Sequence, residues 1–277
     1  MLKTLLSRFT RSDGVAIPDE LWDDAVRGLP CVARLSAEEV SRLRTLSGQL
    51  LARKEMSAAG ELELTAAMQV SIALQACLPI LNLGLDWYRG WSSIVLYPSE
   101  FLVPRSFADE DGVVHEYDEP ITGEAWEGGP LLLSWEDAQR TTTDCGAAYS
   151  VVIHEFAHKI DLLDGAADGV PPFSRELHPG MNAQRWNAVL SDAFERFLAE
   201  LDLIESELPQ DIEPDSEEAD RYYAHLPFDA YAAQDEAEFF AVSSEAFFIE
   251  PQLMQRAFPD WYALLAEFFR QDPLAQR

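Results

Sequence analysis

The run Val151-Val152-Ile153-His154-Glu155-Phe156-Ala157-His158-Lys159-Ile160 carries the strongest chemical signal in the chain. Four residues of α-helix make about 400° of rotation, so His154 and His158 leave one face a turn apart, as two ligands of one metal ion must. Two neutral imidazoles suit zinc. With a third protein ligand and an open fourth position, such an ion lowers the pKa of a bound water toward about 7. Glu155, beside the first imidazole, reaches that water without binding the ion. It can take the water's proton during attack on a peptide carbonyl and return it to the departing amine. The apolar Ala148, Val151, Val152, Ile153, Phe156 and Ala157 surround the pattern, so the helix is expected to be buried, where an unpaired His-Glu-His cluster is costly.

Two kinds of third ligand present themselves. Asp164 lies ten residues after His154, but reaching the ion from there needs a turn, normally at a glycine midway, and Asp161 occupies that midpoint. The alternative is a glutamate on a later helix within Tyr231–Glu245. Glu238 and Glu245 are seven apart and share a face, among Phe239, Phe240, Val242 and Phe247. Helical periodicity does not choose among Glu236, Glu238 and Glu245. Asp161, one turn past His158, reads as a support for a ligand imidazole or a cap for a neighbouring group.

The elements that must position these residues follow from the surrounding pattern. Pro18 with Asp19 and Glu20 opens a short helix, and Ser36 with Glu39 makes a capping box ahead of Val40, Leu43, Leu46 and Leu50. Ile94–Tyr97, Val113–Tyr117 and Leu131–Trp135 are short apolar or aromatic runs that read as strands, the last one a core strand or an edge that pairs with an extended substrate. Helices return over Ala147–Leu163, Asn182–Leu201, Glu236–Ile249 and Pro259–Arg270, with the acidic stretch Glu205–Asp220 as an exposed connection. The expected fold class is α+β and zincin-like, mostly helical with a small mixed sheet beside the active-site helix. Residues 1–15 read as an N-terminal tail and 16–277 as one peptidase domain.

Composition narrows the partners. With 49 acidic against 20 basic residues and a net charge of −29, the surface repels nucleic acid and anionic membranes. Leu64–Leu85 is uncharged but holds Gln69, Gln75, Pro79 and Asn82, which marks a core helix and not a membrane span. Cys31, Cys77 and Cys145 are odd in number and far apart, which predicts a reducing compartment without disulfides. The N-terminus lacks a signal-peptide core, so a cytoplasmic location is expected.

His154-Glu155-Phe-Ala-His158-Lys-Ile-Asp161, Tyr231-Ala-Ala, Ala-Glu238-Phe-Phe-Ala-Val-Ser-Ser-Glu245, Gly123-Glu-Ala-Trp126, Gly129-Pro-Leu-Leu-Leu-Ser-Trp135 and Phe-Arg-Gln-Asp-Pro273 together resemble the Mlc titration factor A family of zinc peptidases. The resemblance runs from about Trp87 to the C-terminus and is weaker over the N-terminal helices. It implies Glu238 as third ligand of a single Zn2+ ion and Tyr231 as a catalytic residue, a phenol suited to hydrogen-bond a developing oxyanion. It also implies activity toward short peptides, of an aminopeptidase kind. The family's namesake binds the glucose repressor Mlc, so a DNA-binding transcriptional repressor is the protein partner the resemblance implies.

Overall fold

Capping chemistry sets the first helices of the computed structural model, which describes residues 14–108, 114–140, 148–209, 211–214, 216 and 218–275. α1 (Asp19–Arg27) starts after Pro18 with Asp19 and Glu20 in its first turn, where negative charge meets the positive helix end. At α2 (Ala37–Arg53) the Glu39 N–H donates to Ser36 Oγ at 3.3 Å and the Ser36 N–H to Glu39 Oε2 at 2.8 Å, the expected capping box. α3 (Ala66–Cys77) is the uncharged helix, and every residue from Val70 on except Ser71 is buried. Among the described residues no helix is long and apolar enough to cross a membrane. Cys31 and Cys77 are buried free thiols. The N-terminal tail expected at 1–15 falls largely outside the described residues, as do Val113, Cys145 and Ala147.

The sheet is small and mixed. β1 (Glu55–Ala58), β2 (Ser93–Tyr97) and β6 (Leu131–Ser134) run parallel, while β5 (Gly123–Ala125) lies antiparallel at the edge, giving the order β1-β2-β6-β5. β3 (Phe101–Ala108) and β4 (Val114–Ile121) form a separate antiparallel hairpin that leads straight into β5. All four residues of β6 are buried, and β2 and β5 flank it. Of the two readings of Leu131–Trp135 the core strand describes it; the sheet edge is β5, and Trp135 begins α4 (Trp135–Ala138). β6 is apolar because it is covered on both sides. β5, with Gly-Glu-Ala, has no strand pattern to read.

The C-terminal half is helical: α5 (Val151–Asp161), α6 (Ala183–Glu207), α7 (Asp220–Tyr223), α8 (Glu236–Ile249), α9 (Pro251–Ala257) and α10 (Pro259–Phe269). Trp186, Leu190, Ala193, Phe197, Leu201 and Ile204 make the buried stripe of α6 at steps of three and four. That stripe carries α6 on to Glu207, beyond the Leu201 expected from sequence, with the acidic side chains of its last turns in solvent. α8 is buried on every side from Phe239 to Ile249, so it is the central helix of this half. Trp186 of α6 meets Phe240 at 5.9 Å and Trp261 of α10 meets Phe239 at 5.9 Å, packing α6 and α10 around it.

Candidate metal centre and active site

α5 is placed by its N-terminus. Ser150 Oγ accepts from the Ile153 N–H at 3.2 Å and donates to Gln75 Oε1 at 3.0 Å, which ties the helix cap to α3. α8 is capped by Asp235, whose Oδ1 accepts from the N–H groups of Ala237 and Glu238, both at 2.9 Å. Glu238 thus sits in the first turn of α8, facing the second turn of α5. Gly169 lets these parts close up: with φ of +74°, it lies where a Cβ would stand 2.3 Å from the Glu236 carbonyl oxygen.

His154 Nε2 stands 3.1 Å from Glu238 Oε2 and 3.1 Å from His158 Nε2, and His158 Nε2 stands 3.4 Å from Glu238 Oε2. Ligand bonds of about 2.0–2.2 Å at tetrahedral angles put neighbouring ligand atoms about 3.4 Å apart, so the triangle has the size a zinc ion requires. Glu238 Oε2 is buried and takes no well-formed hydrogen bond among the described residues. His154 Nδ1 faces Glu245 Oε1 at 2.9 Å, which leaves the Nε2 lone pair for the triangle. An orphaned buried oxygen beside two imidazole nitrogens fits a divalent cation, and this is the one His/Cys/Asp/Glu group of that geometry among the described residues.

The electrostatics point the same way. Burial favours neutral His154, yet Glu238, Glu245 and Glu155 around it raise its pKa well above the ordinary value. Burial pushes Glu238 up, but contact with His154 and His158 outweighs it and holds the carboxyl well below the usual range. A field that attracts a proton this strongly also attracts a metal ion. Glu155 is only 4% exposed, and burial lifts its pKa to about 7 against the opposing pull of His154 and His158.

The three helix glutamates left open by periodicity have three different surroundings. Glu236 turns away and accepts from Ser191 Oγ at 2.7 Å. Glu238 joins both histidines, and Glu245 stands behind His154, with its other oxygen accepting the Ser150 N–H. Asp164 is exposed in a 3-10 turn, Leu162–Asp164, outside the cluster. Asp161 does not support an imidazole: its Oδ2 accepts from the Gly169 N–H at 2.8 Å, so of its two readings the cap describes it. The imidazole support is Glu245, which the sequence offered only as a rival ligand.

Tyr231 sits in the 3-10 turn Ala230–Ala233, where Asp229 Oδ1 accepts its backbone N–H at 2.8 Å. The residue is 47% exposed, and its ring lies 6.1 Å from the His154 ring. Both residues line a cleft of about 350 Å³ together with Glu155, Glu245, Asp229 and the Pro120–Gly123 segment that leads into β5.

A mixed sheet whose edge strand runs beside a helix bearing His154, Glu155 and His158, with Glu238 supplied from a second helix, defines the zincin-like metallopeptidase class. The glucose-regulated metallo-peptidase M90 family matches residues 6–270, and this chain belongs to it. The chain is 37% identical to Mlc titration factor A of Serratia proteamaculans, over 92% of this chain and 88% of that one. It is 36% identical to the protein of that name from Salmonella arizonae, over 92% of each, and 36% identical to the one from Klebsiella pneumoniae, over 92% of this chain and 88% of that one.

Proposed function

We propose that the chain is a zinc-dependent peptidase that holds one zinc ion on His154, His158 and Glu238 and uses Glu155 as general base. The observation that carries this reading is the convergence of three donor atoms within 4.8 Å of one another, one of them a buried Glu238 oxygen that takes no well-formed hydrogen bond among the described residues. An ion so held supplies a Lewis acid that lowers the pKa of water and polarises a carbonyl. Glu155 accepts the proton of the attacking water and delivers it to the amine nitrogen as the C–N bond breaks. Tyr231 donates its phenolic hydrogen bond to the carbonyl oxygen as that atom gains negative charge. Glu245 holds the His154 ring in place through Nδ1.

The substrates are short peptides, cleaved in an aminopeptidase-like manner by a cytoplasmic enzyme. A cleft of about 350 Å³ accommodates a few residues, and β5 at the sheet edge offers backbone groups to an extended peptide. Asp229 on the cleft wall supplies negative charge for a free α-ammonium group. The test is hydrolysis of short chromogenic peptides by wild type and Glu155→Gln, with bound zinc measured in both. Equal turnover by the two proteins would sink the mechanism.

A second reading is a regulator that sequesters a DNA-binding repressor, with catalysis secondary. It is supported by the name of the relatives, Mlc titration factor A, and by a net charge of −29 suited to a basic partner. A regulator keeps its partner in Glu155→Gln, so retention of a purified repressor of this kind by that variant, measured by calorimetry, separates the two.

A further inference from the structure

Gly123 has no left-handed backbone to explain its lack of a side chain, since its φ is not among the positive ones. Space explains it: a Cβ there would stand 2.5 Å from Glu155 Oε1, 2.7 Å from Glu155 Cγ and 2.8 Å from Glu155 Cδ. These are closer than carbon and oxygen atoms pack, so with any larger residue something must move. The edge strand is poorly able to do so. Lys159, one turn after Glu155 on α5, donates to the carbonyls of Trp126 at 2.6 Å and Gly129 at 3.1 Å, and thereby clamps the turn after β5 onto the helix. On the other flank the Ser134 N–H donates to the Thr122 carbonyl at 2.7 Å, and Gly123 pairs with Leu133 in the β5–β6 ladder. The movable partner is the end of the Glu155 side chain.

The geometry points to Gly123 as a positioning residue for Glu155: the missing side chain at the sheet edge is what allows the carboxylate to stand under β5, beside His154 and the cleft. This rests on the reading of Glu155 as the base. The two-point grip of α5 on β5, through Glu155 at Gly123 and Lys159 at Trp126 and Gly129, also fixes the height of the strand above the base. A peptide laid along the Pro120–Gly123 wall is thereby registered against Glu155.

Gly123→Ala should leave folding and zinc affinity near wild type, because neither the ligands nor the ladder must shift. Displacing the base by about 1 Å should lower kcat on the order of 100-fold with little change in KM. Added to Glu155→Ala, which carries none of the three crowding atoms, the same substitution should cost little of the residual activity. Crystal structures of metal-free wild type and Gly123→Ala give a readout independent of turnover: Glu155 should be displaced and the β5–β6 register kept. An unmoved Glu155 with a shifted strand, or wild-type kcat, overturns the inference. Full activity in Glu155→Gln would instead remove the base assignment, and the crystallographic displacement would still decide the role of Gly123.

Discussion

Oε1 of Glu245 stands 2.9 Å from Nδ1 of His154, while Nε2 of the same ring faces Glu238. The second oxygen of Glu245 accepts the backbone N–H of Ser150, the cap of α5. One buried carboxylate therefore fixes the imidazole's tautomer, its orientation and the start of the helix that carries it.

In Glu245→Gln the amide can still accept from one of these two donors, but its NH2 group meets the other. Zinc affinity should fall about 10- to 100-fold, the usual consequence of losing a carboxylate behind a ligand imidazole. Competition with a chromogenic chelator measures this, and an unchanged affinity would remove Glu245 from the site.

Tyr231 is 47% exposed on the cleft wall. In the proposed reaction its hydroxyl donates to the oxyanion. Tyr231→Phe should bind zinc normally, keep its stability within about 0.5 kcal/mol and lose about 100-fold in kcat. Steady-state kinetics on zinc-loaded protein decide it: a variant with wild-type kcat leaves Tyr231 as a cleft-wall aromatic only.

Much of the site was legible because its information is local. Two histidines four apart on an apolar helix need no tertiary knowledge to share a face, and α8 announces itself by its paired phenylalanines at 239–240 and 247–248. Choosing among Glu236, Glu238 and Glu245 was different. Glu238 and Glu245 share a helical phase and approach His154 at opposite nitrogens, so only the axial offset between α5 and α8 separates them. Resemblance named Glu238, and Glu238 is the one that stands with both histidines. β5 was illegible because three residues, one of them glycine, carry no alternation, and its position depends on the ladder to β6. Helical spacing offers Asp161 as an imidazole support or a cap, and the loop that returns through Gly169 supplies it with the N–H donor that makes it a cap.

The link from Ser150 Oγ to Gln75 and to the Ile153 N–H predicts a stability effect without a catalytic one of its own. Ser150→Ala removes an N-cap acceptor and a buried donor together, and should cost about 1–2 kcal/mol. Urea unfolding of the metal-free protein checks this. A loss below about 0.5 kcal/mol would mean that the α3–α5 contact does not depend on the cap.

Lys54 makes a pH-dependent prediction away from the metal centre. It is 8% exposed, donates to the carbonyls of Tyr88 and Trp91, and stands 3.6 Å from the centre of the Trp91 ring. Burial lowers its pKa from 10.5 to about 8, assisted by the charges of Lys159 and Arg53. Below about pH 8 both folded and unfolded chains carry the proton, and the cost of burying the charge is fully present. Between about 8 and 10.5 the unfolded chain binds more protons than the folded one, so the stability due to this group rises with pH across that window. Lys54→Met lacks this term, while Lys159 titrates in both proteins, so the difference keeps the Lys54 term together with its repulsion by Lys159. The stability of wild type relative to Lys54→Met should therefore increase by on the order of 2 kcal/mol from about pH 8 to about pH 10.5. Urea melts of the metal-free proteins at several pH values measure it, and a difference that stays flat would show that Lys54 keeps its charge in the folded chain throughout.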